Sequence, residues 1–513
     1  MRIRSIIYRF KTKNSLIVSP LIRRIFHPDK YKTIAFLYNY LGDSDSVLNK
    51  EAMIHAKTVV NEICTLDSRY ESFYFPSKSA CLVSDKETAQ KAMWKGAVLL
   101  ICSEDFEEYP CLISNNPILT YASLCRYYRD LSKDLYVTAI SGSIGKTTVK
   151  NMMGEVFKMR YNTTYTRANL NTRMSVGFAV QHIPAKAKQL IQEIHEGNPD
   201  ETRYISKMLH PDLFVLTPID LSHFERFGSE QRIKEEICSI TEYMQDNGRV
   251  IVDVDEFKDI DLLNGKEVIS LSSNNQQADF SISGVEVTHR GLLFKVHVKE
   301  TKSEYTIALP EIYAPHNALC ALYAFAAGYS VGIEPKSIIR GLHNYKTSGD
   351  RQNVFITRDG VVVYADCYNA VGRSMVSAID AANGIDITGK RIAVLGDVAE
   401  AGAISLNMHK GIIRHVCETS FTHLFTIGEE FKKALAEEPT REGLIVMQAK
   451  DLEELSNMIK GVAQKGDLIL FKASHASNLS QCIKLVWPNE YEERIAGATN
   501  DEYNDWLYSV IKC

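Results

Sequence analysis

The stretch "AISGSIGKTTVKNMMGEVF", residues 139–157, decides how the rest of this chain is read. Its Gly145-Lys146-Thr147 is the tail of a phosphate-binding loop, but the first glycine of the commonest such loop would fall at Ile140. Gly142 is the nearby glycine, so the pattern is G-x-x-G-K-T-T. A phosphate loop works between a strand that feeds a tight turn and a helix whose N-terminal N–H groups face the anion. Both flanks are present. "LYVTAI" (135–140) reads as a buried strand, and Val149, Met152, Met153, Val156 and Phe157 fall on one face of a helix. Gly142 and Gly145 let the backbone approach an anion, with Ser143 and Thr148 completing the loop. Lys146 can reach the β- and γ-phosphates, and the Thr147 hydroxyl can ligate a cation. A nucleoside triphosphate with Mg2+ is therefore the expected ligand. Lys146 is expected on a solvent-facing loop, so replacing it should spare the fold.

Bulk properties bound the rest. At about 150 residues per domain, a chain of 513 residues holds three or four. Apolar residues at 45% and charged residues at 24% match a globular protein. The net charge of −4 gives no case for a nucleic-acid partner. No apolar run approaches the roughly 18 residues that span a bilayer. The eleven cysteines are odd in number and lack a C-x-x-C pair, which predicts a reducing, cytoplasmic setting without a zinc ribbon. The first 32 residues carry nine Lys/Arg against one Asp, interrupted by Pro20 and Arg23-Arg24. They read either as a basic segment resting on an anionic membrane surface or as a solvated leader.

Along the chain, residues 33 to about 130 mix short β-like runs ("SACLVS", "GAVLLICS") with helical patterns, among them "SVLNKEAMIHAKTVVNEIC" (46–64). From Leu135, strands alternate with amphipathic helices, as in "LFVLTPI" and "RVIVDV", which predicts a parallel sheet covered on both faces. Residues 275–310 alternate at period two and read as a β-rich insertion. "HNALCALYAFAAGYSVGI" (316–333) is a long apolar helix. Beyond Gly349-Asp350-Arg351, "GVVVYADC", "RIAVLGDV", "HLFTIG" and "DLILFKAS" predict a second α/β unit of four strands. The predicted division is 1–133, 134–346 and 347–513. Metal ligands for a triphosphate belong at the carboxyl ends of strands beside the loop. Glu193 and His223 fit that place, and with Thr147 they make a candidate Mg2+ set.

The G-x-x-G-K-T-T loop after "VTAIS" resembles that of the Mur ligases and their folylpolyglutamate-synthetase relatives. Other segments follow in the family's order. "NLNTRMSVGF" (169–178) is similar to an N-x-N-N segment, and the run from "QEIHEG" to "SHFERFGS" (192–229) carries Glu193 and His223 at the family's metal positions. "APHNALCALYA" (314–324) resembles an adenine-binding His-Asn segment, "GDR" (349–351) a linker arginine, and "ADCYNAVGRSM" (365–375) a further C-terminal motif. "VLGDVAEAG" (394–402) and "GDLILFKAS" (466–474) resemble two more. The likeness covers about 134–485. It implies a three-domain α/β architecture: an N-terminal acceptor domain, shorter than usual, a central P-loop parallel-sheet ATPase domain and a C-terminal Rossmann-like domain.

The resemblance also implies a reaction. An acceptor carboxylate attacks the γ-phosphate, and an incoming amine then displaces phosphate from the acyl phosphate. Lys146, Glu193 and His223 would be catalytic. Asn317, Arg351 and Asp366 would hold ATP, and Asn169, Asn171, Tyr368, Asn369, Ser68 and Arg69 would contact substrates. The likeness is greatest to the branch that adds D-alanyl-D-alanine to a UDP-muramyl tripeptide. A related ligase acting on another carboxylate and a non-catalytic ATP-binding scaffold remain as alternatives. A monomer is expected.

Departures from the family are specific. Ile144 and Cys320 replace asparagines, and Val371-Gly372 replaces Asn-Pro. The family's carbamylated lysine matches Lys234 only if the helix has lost three residues; without a gap, Ile237 stands there. "LDSR" (66–69) resembles the uridine-side motif, but the loop that should follow it is missing. A guanidinium there suits a pyrophosphate, although Arg69 could equally pair with Asp67 or Glu71. Arg69→Ala should therefore weaken binding of UDP-N-acetylmuramoyl-tripeptide in a calorimetric titration, and unchanged affinity would leave Arg69 as an ordinary surface ion pair.

Overall fold

The computed structural model describes residues 32–42, 45–66, 78–166, 170–221, 224–288, 290–347 and 349–496. Among the described residues, three larger sheets follow one another along the chain, with a small two-stranded one beside the first. The first has five strands, in the order Ser46–Leu48, Cys111–Ser114, Ala97–Cys102, Ser79–Leu82, Ile63–Thr65. All neighbours run parallel except Ser46–Leu48, which is antiparallel. The helical reading of residues 46–64 is corrected here: only Lys50–Ile54 is helical. Asn49 starts that single turn by accepting the Ala52 N–H at 2.9 Å. The β-branched Val59–Val60 then pairs with Lys32–Thr33, and Ile63–Thr65 joins the sheet.

The second sheet has nine strands, from Ser303–Pro310 at one edge to Thr163–Tyr165 at the other. Tyr136–Ser141, Leu213–Leu216 and Arg249–Asp253 are the strands read from the sequence, and Thr163–Tyr165, Gln189–Glu193 and Glu267–Ser272 join them in parallel. The stretch read as an insertion is not separate. Phe280–Thr288 pairs in parallel with Glu267–Ser272, and Gly291–Val298 and Ser303–Pro310 extend the same sheet as an antiparallel meander. Along the chain, Thr163–Tyr165 and Gln189–Glu193 lie on one side of Tyr136–Ser141 and Leu213–Leu216 lies on the other. That strand is thus a topological switch point, and its carboxyl end opens a crevice.

The third sheet has six strands, two more than expected. Asn353–Ile356 is an antiparallel edge strand and Ile445–Ala449 the opposite, parallel edge. Both are partly exposed, as edge strands are, although each includes a short apolar run, Val354–Ile356 and Leu444–Met447.

The helix Lys146–Lys158 buries Val149, Met152, Met153, Val156 and Phe157, the face expected from their spacing. Two helices, Asn317–Ser330 and Pro335–Asn344, pack across it. At the second crossing a Cβ on Gly341 would lie 2.6 Å from the Val156 Cα, so two backbones meet where only glycine fits. Gly341→Ala should cost about 1–3 kcal/mol of stability by forcing them apart. Gly411→Ala, in the interior of helix Ser405–Cys417 with nothing near its added methyl, should be neutral or gain up to about 1 kcal/mol. Chemical unfolding of both variants checks the pair.

Candidate active site

The phosphate loop leaves Tyr136–Ser141 at the switch point and crosses the neighbouring strand. Gly142 has φ +138°, and a Cβ there would sit 2.3 Å from the Thr217 Oγ1. The loop is pinned by Ser143 N–H and Ile144 N–H, which donate to the Pro218 carbonyl at 2.9 and 3.1 Å. The Ser143 hydroxyl donates to the Asp220 carbonyl at 3.0 Å, so it anchors the loop. Gly145, at φ +84°, then opens the helix, and no side chain caps its first turn. The N–H groups of Lys146, Thr147 and Thr148 stand at that helix terminus, where an anion is favoured.

Glu193 ends the strand Gln189–Glu193 beside the loop. Its carboxylate accepts the Thr147 hydroxyl at 2.8 Å and the Asn171 amide at 2.9 Å, with the Lys150 Nζ at 3.3 Å. Burial alone would raise its pKa. Lys150, Arg351 and Lys146, together with the Thr147 hydroxyl, outweigh that and push it down to about 2. An ionised carboxylate beside a hydroxyl is a hard oxygen donor set that suits Mg2+. Asn171, expected at a substrate, here orients this carboxylate.

Lys146 is not solvent-facing. Its ammonium lies 2.9 Å from each oxygen of Glu196 and also donates to the Gly142 carbonyl. The side chains of Lys146 and Glu196 are only 11% and 1% exposed. The expectation that Lys146 can be removed without cost to the fold is therefore corrected.

The opposite wall comes from the helix Asn317–Ser330 and the third sheet. The Asn317 amide donates to the Gln352 side-chain carbonyl at 2.9 Å, and the Gln352 amide meets the His316 Nε2 at 2.9 Å. Gln352 N–H donates to Asp366 at 3.3 Å, and the buried Lys472 pairs with Asp366 at 3.1 Å. The Arg351 guanidinium lies 3.5 Å from the centre of the Tyr368 ring. The Asn369 side chain caps its own turn through Ala370 N–H, while its carbonyl accepts the Lys472 amine. A cleft of about 440 Å³ joins the two walls, from Lys146, Thr147 and Glu193 on one side to Arg351, Asp366 and Tyr368 on the other.

Ser68, Arg69, Asn169 and His223 lie outside the described residues. Lys234 does not join the cleft. It pairs with Asp259 at 2.8 Å and Glu230 at 2.9 Å, and those hydrogen bonds raise its pKa, against the neutral amine that carbamylation requires. Ile237 is core. Lys150, Glu196, Gln352 and Lys472 were missed. A lysine inside the apolar run "LILFK" was a usable signal for Lys472; the other three carry none.

The family model for the Mur ligase middle domain matches residues 140–325, and that for the Mur ligase glutamate ligase domain matches 350–475. The chain belongs to the Mur ligase family. It is accordingly an ATP-dependent, ADP-forming ligase that works with Mg2+. Similar proteins include the UDP-N-acetylmuramoyl-tripeptide–D-alanyl-D-alanine ligase of Bacillus subtilis (strain 168), 29% identical over 352 residues covering 68% of this chain and 75% of that one. The enzyme of the same name from Escherichia coli (strain K12) is 26% identical, covering 67% and 75%. In fold, the chain is similar to MurF from Acinetobacter baumannii, with TM-score 0.76, 22% identity and coverage of 90% of this chain and 100% of that one. MurF from Thermotoga maritima in complex with ADP has TM-score 0.71 and 20% identity, covering 84% and 98%.

For this Mur ligase, Lys146→Ala should abolish ligation and also cost about 3 kcal/mol of stability, the order expected for breaking a buried ion pair. Lys146→Ala with Glu196→Gln should recover most of that stability and none of the activity. Chemical unfolding and an ADP-release assay on the two variants check both halves.

Proposed function

We propose that this Mur ligase joins D-alanyl-D-alanine to the terminal carboxylate of a UDP-N-acetylmuramoyl-tripeptide, through an acyl phosphate. The observation that carries the reading is the convergence of Lys146, Thr147 and Glu193 from the second sheet with Arg351 and Asp366 from the third. Relatives that match about two thirds of the chain bear the name of that reaction.

In this reading the chain has three tasks. It brings two anions together, with Lys146 and Arg351 offsetting their repulsion in a cleft of low dielectric. It fixes the nucleotide: the helix N-terminus takes the phosphates, while Asp366 and Asn317 orient ribose and adenine. It keeps Glu193 ionised and aimed, through Lys150 and Asn171, so that with Thr147 and His223 it can hold Mg2+. Bound Mg2+ would supply charge neutralisation at the γ-phosphate. Tyr368 holds the Arg351 guanidinium by its ring face, and Asn369 sits beside it at the cleft wall.

The division at 133/134 and 346/347 belongs to the same proposal, supported by each sheet falling within one part. The first part would receive the UDP end through Ser68 and Arg69, and Asn169 would line the acceptor's path. Among the described residues no helix is long and apolar enough to cross a membrane. A cytoplasmic site of action fits the need for ATP and the free thiols of the described cysteines. Peripheral membrane contact through the basic first 32 residues, and a monomeric state, rest on sequence alone.

The purified protein, given ATP, Mg2+, the tripeptide precursor and D-alanyl-D-alanine, should release ADP and yield a product heavier by the dipeptide less one water. Mass spectrometry reads it. Turnover only with a different carboxylate would replace this reading with that of a related ligase on another acceptor.

A further inference from the structure

The Lys146 ammonium has three N–H donors. One goes to the Gly142 carbonyl, and the carboxylate of Glu196 accepts the others through both oxygens, each at 2.9 Å. None is left for a phosphate. Glu196 stands three residues beyond Glu193, on the segment that follows the strand Gln189–Glu193, and it lines the same cleft as the loop. A carboxylate with both oxygens on an ammonium reproduces the charge and spacing of two phosphate oxygens on that ammonium. The pair is almost wholly enclosed, so the solvent screening that weakens surface ion pairs is small here.

We propose that Glu196 is an internal counter-ion that occupies Lys146 in the nucleotide-free protein and must be displaced by the incoming polyphosphate. The inference rests on Lys146 being the residue that reads phosphate. Two consequences follow from like-charge repulsion and from competition for a fixed set of donors. Nucleotide binding is weakened by whatever it costs to remove the carboxylate from Lys146. After the γ-phosphate has left, Glu196 competes with the remaining phosphates of ADP for the same ammonium, which favours product release. Glu196 is thus a positioning residue that acts through Lys146 and sets the nucleotide exchange rate.

The test is a calorimetric titration of ADP, without divalent cations, into wild type, Glu196→Gln and Lys146→Ala. Glu196→Gln should bind ADP about tenfold more tightly, the order expected when a charge-assisted competitor is removed. Its nucleotide-free melting temperature should nevertheless fall, because Lys146 has lost its anion. Opposite signs for stability and affinity separate this role from a merely structural one, in which both would fall. If Glu196→Gln does not fold, Glu196→Met serves the same comparison. Affinity unchanged or weakened in a folded variant overturns the inference. Failure of wild type to bind ADP, or of Lys146→Ala to weaken it, would instead overturn the phosphate-loop reading itself.

Discussion

The phosphate loop can exist only because the backbone passes the end of the strand Leu213–Leu216 with no room for a side chain at Gly142. The nearest Thr217 atoms lie 2.3 and 2.4 Å from where a Cβ would be. That close passage makes the loop short, and the shortness aims the uncapped end of the helix Lys146–Lys158 into the crevice. The rest of the site is arranged around that helix terminus. Gly341 and Gly328 let two further helices press on its back, so the element that binds phosphate is also the most heavily packed helix of the central sheet.

The second constraint is charge. Lys146, Lys150, Arg351 and Lys472 meet Glu193, Glu196 and Asp366 in or beside one cleft, and the described contacts pair them closely. Glu193 shows how the balance is used. It is buried, yet its pKa is held far below the ordinary value, so the carboxylate stays available to a cation. Across the cleft, Asp366 has the buried Lys472 as its ion-pair partner at 3.1 Å. The protein thus stores ionised groups in a dry place by giving each a partner before any ligand arrives.

What the sequence made legible follows from range. The loop, its strand and its helix are local, and periodicity with glycine spacing was enough to place Lys146, Thr147 and Val149 to Phe157. Glu193 was legible because ligands collect at strand ends in open α/β sheets. Residues 46–64 were misread because apolar spacing near 3.6 was weighed above the β-branched Val59–Val60, and pairing with Lys32–Thr33 decided the outcome. Edge strands Asn353–Ile356 and Ile445–Ala449 carry the short apolar runs Val354–Ile356 and Leu444–Met447, a local signal that the reading of four strands passed over. Glu196, Gln352 and Lys150 gain meaning only from what lies opposite them, and that is information about tertiary distance.

Gln352 has one consequence of a different kind. Its side chain bridges His316 and Asn317 of the central part, while its backbone N–H holds Asp366 of the third sheet. Arg351, the preceding residue, is carried on the same few atoms of chain. Any rotation of the third sheet about this linker must therefore break the amide bridge and carry the guanidinium away from Glu193 together. Adenine-side contacts and phosphate-side charge are mechanically one unit. A chain held open would present a polyphosphate with Lys146 but without Arg351, so it could bind nucleotide and still be unable to spend it on water.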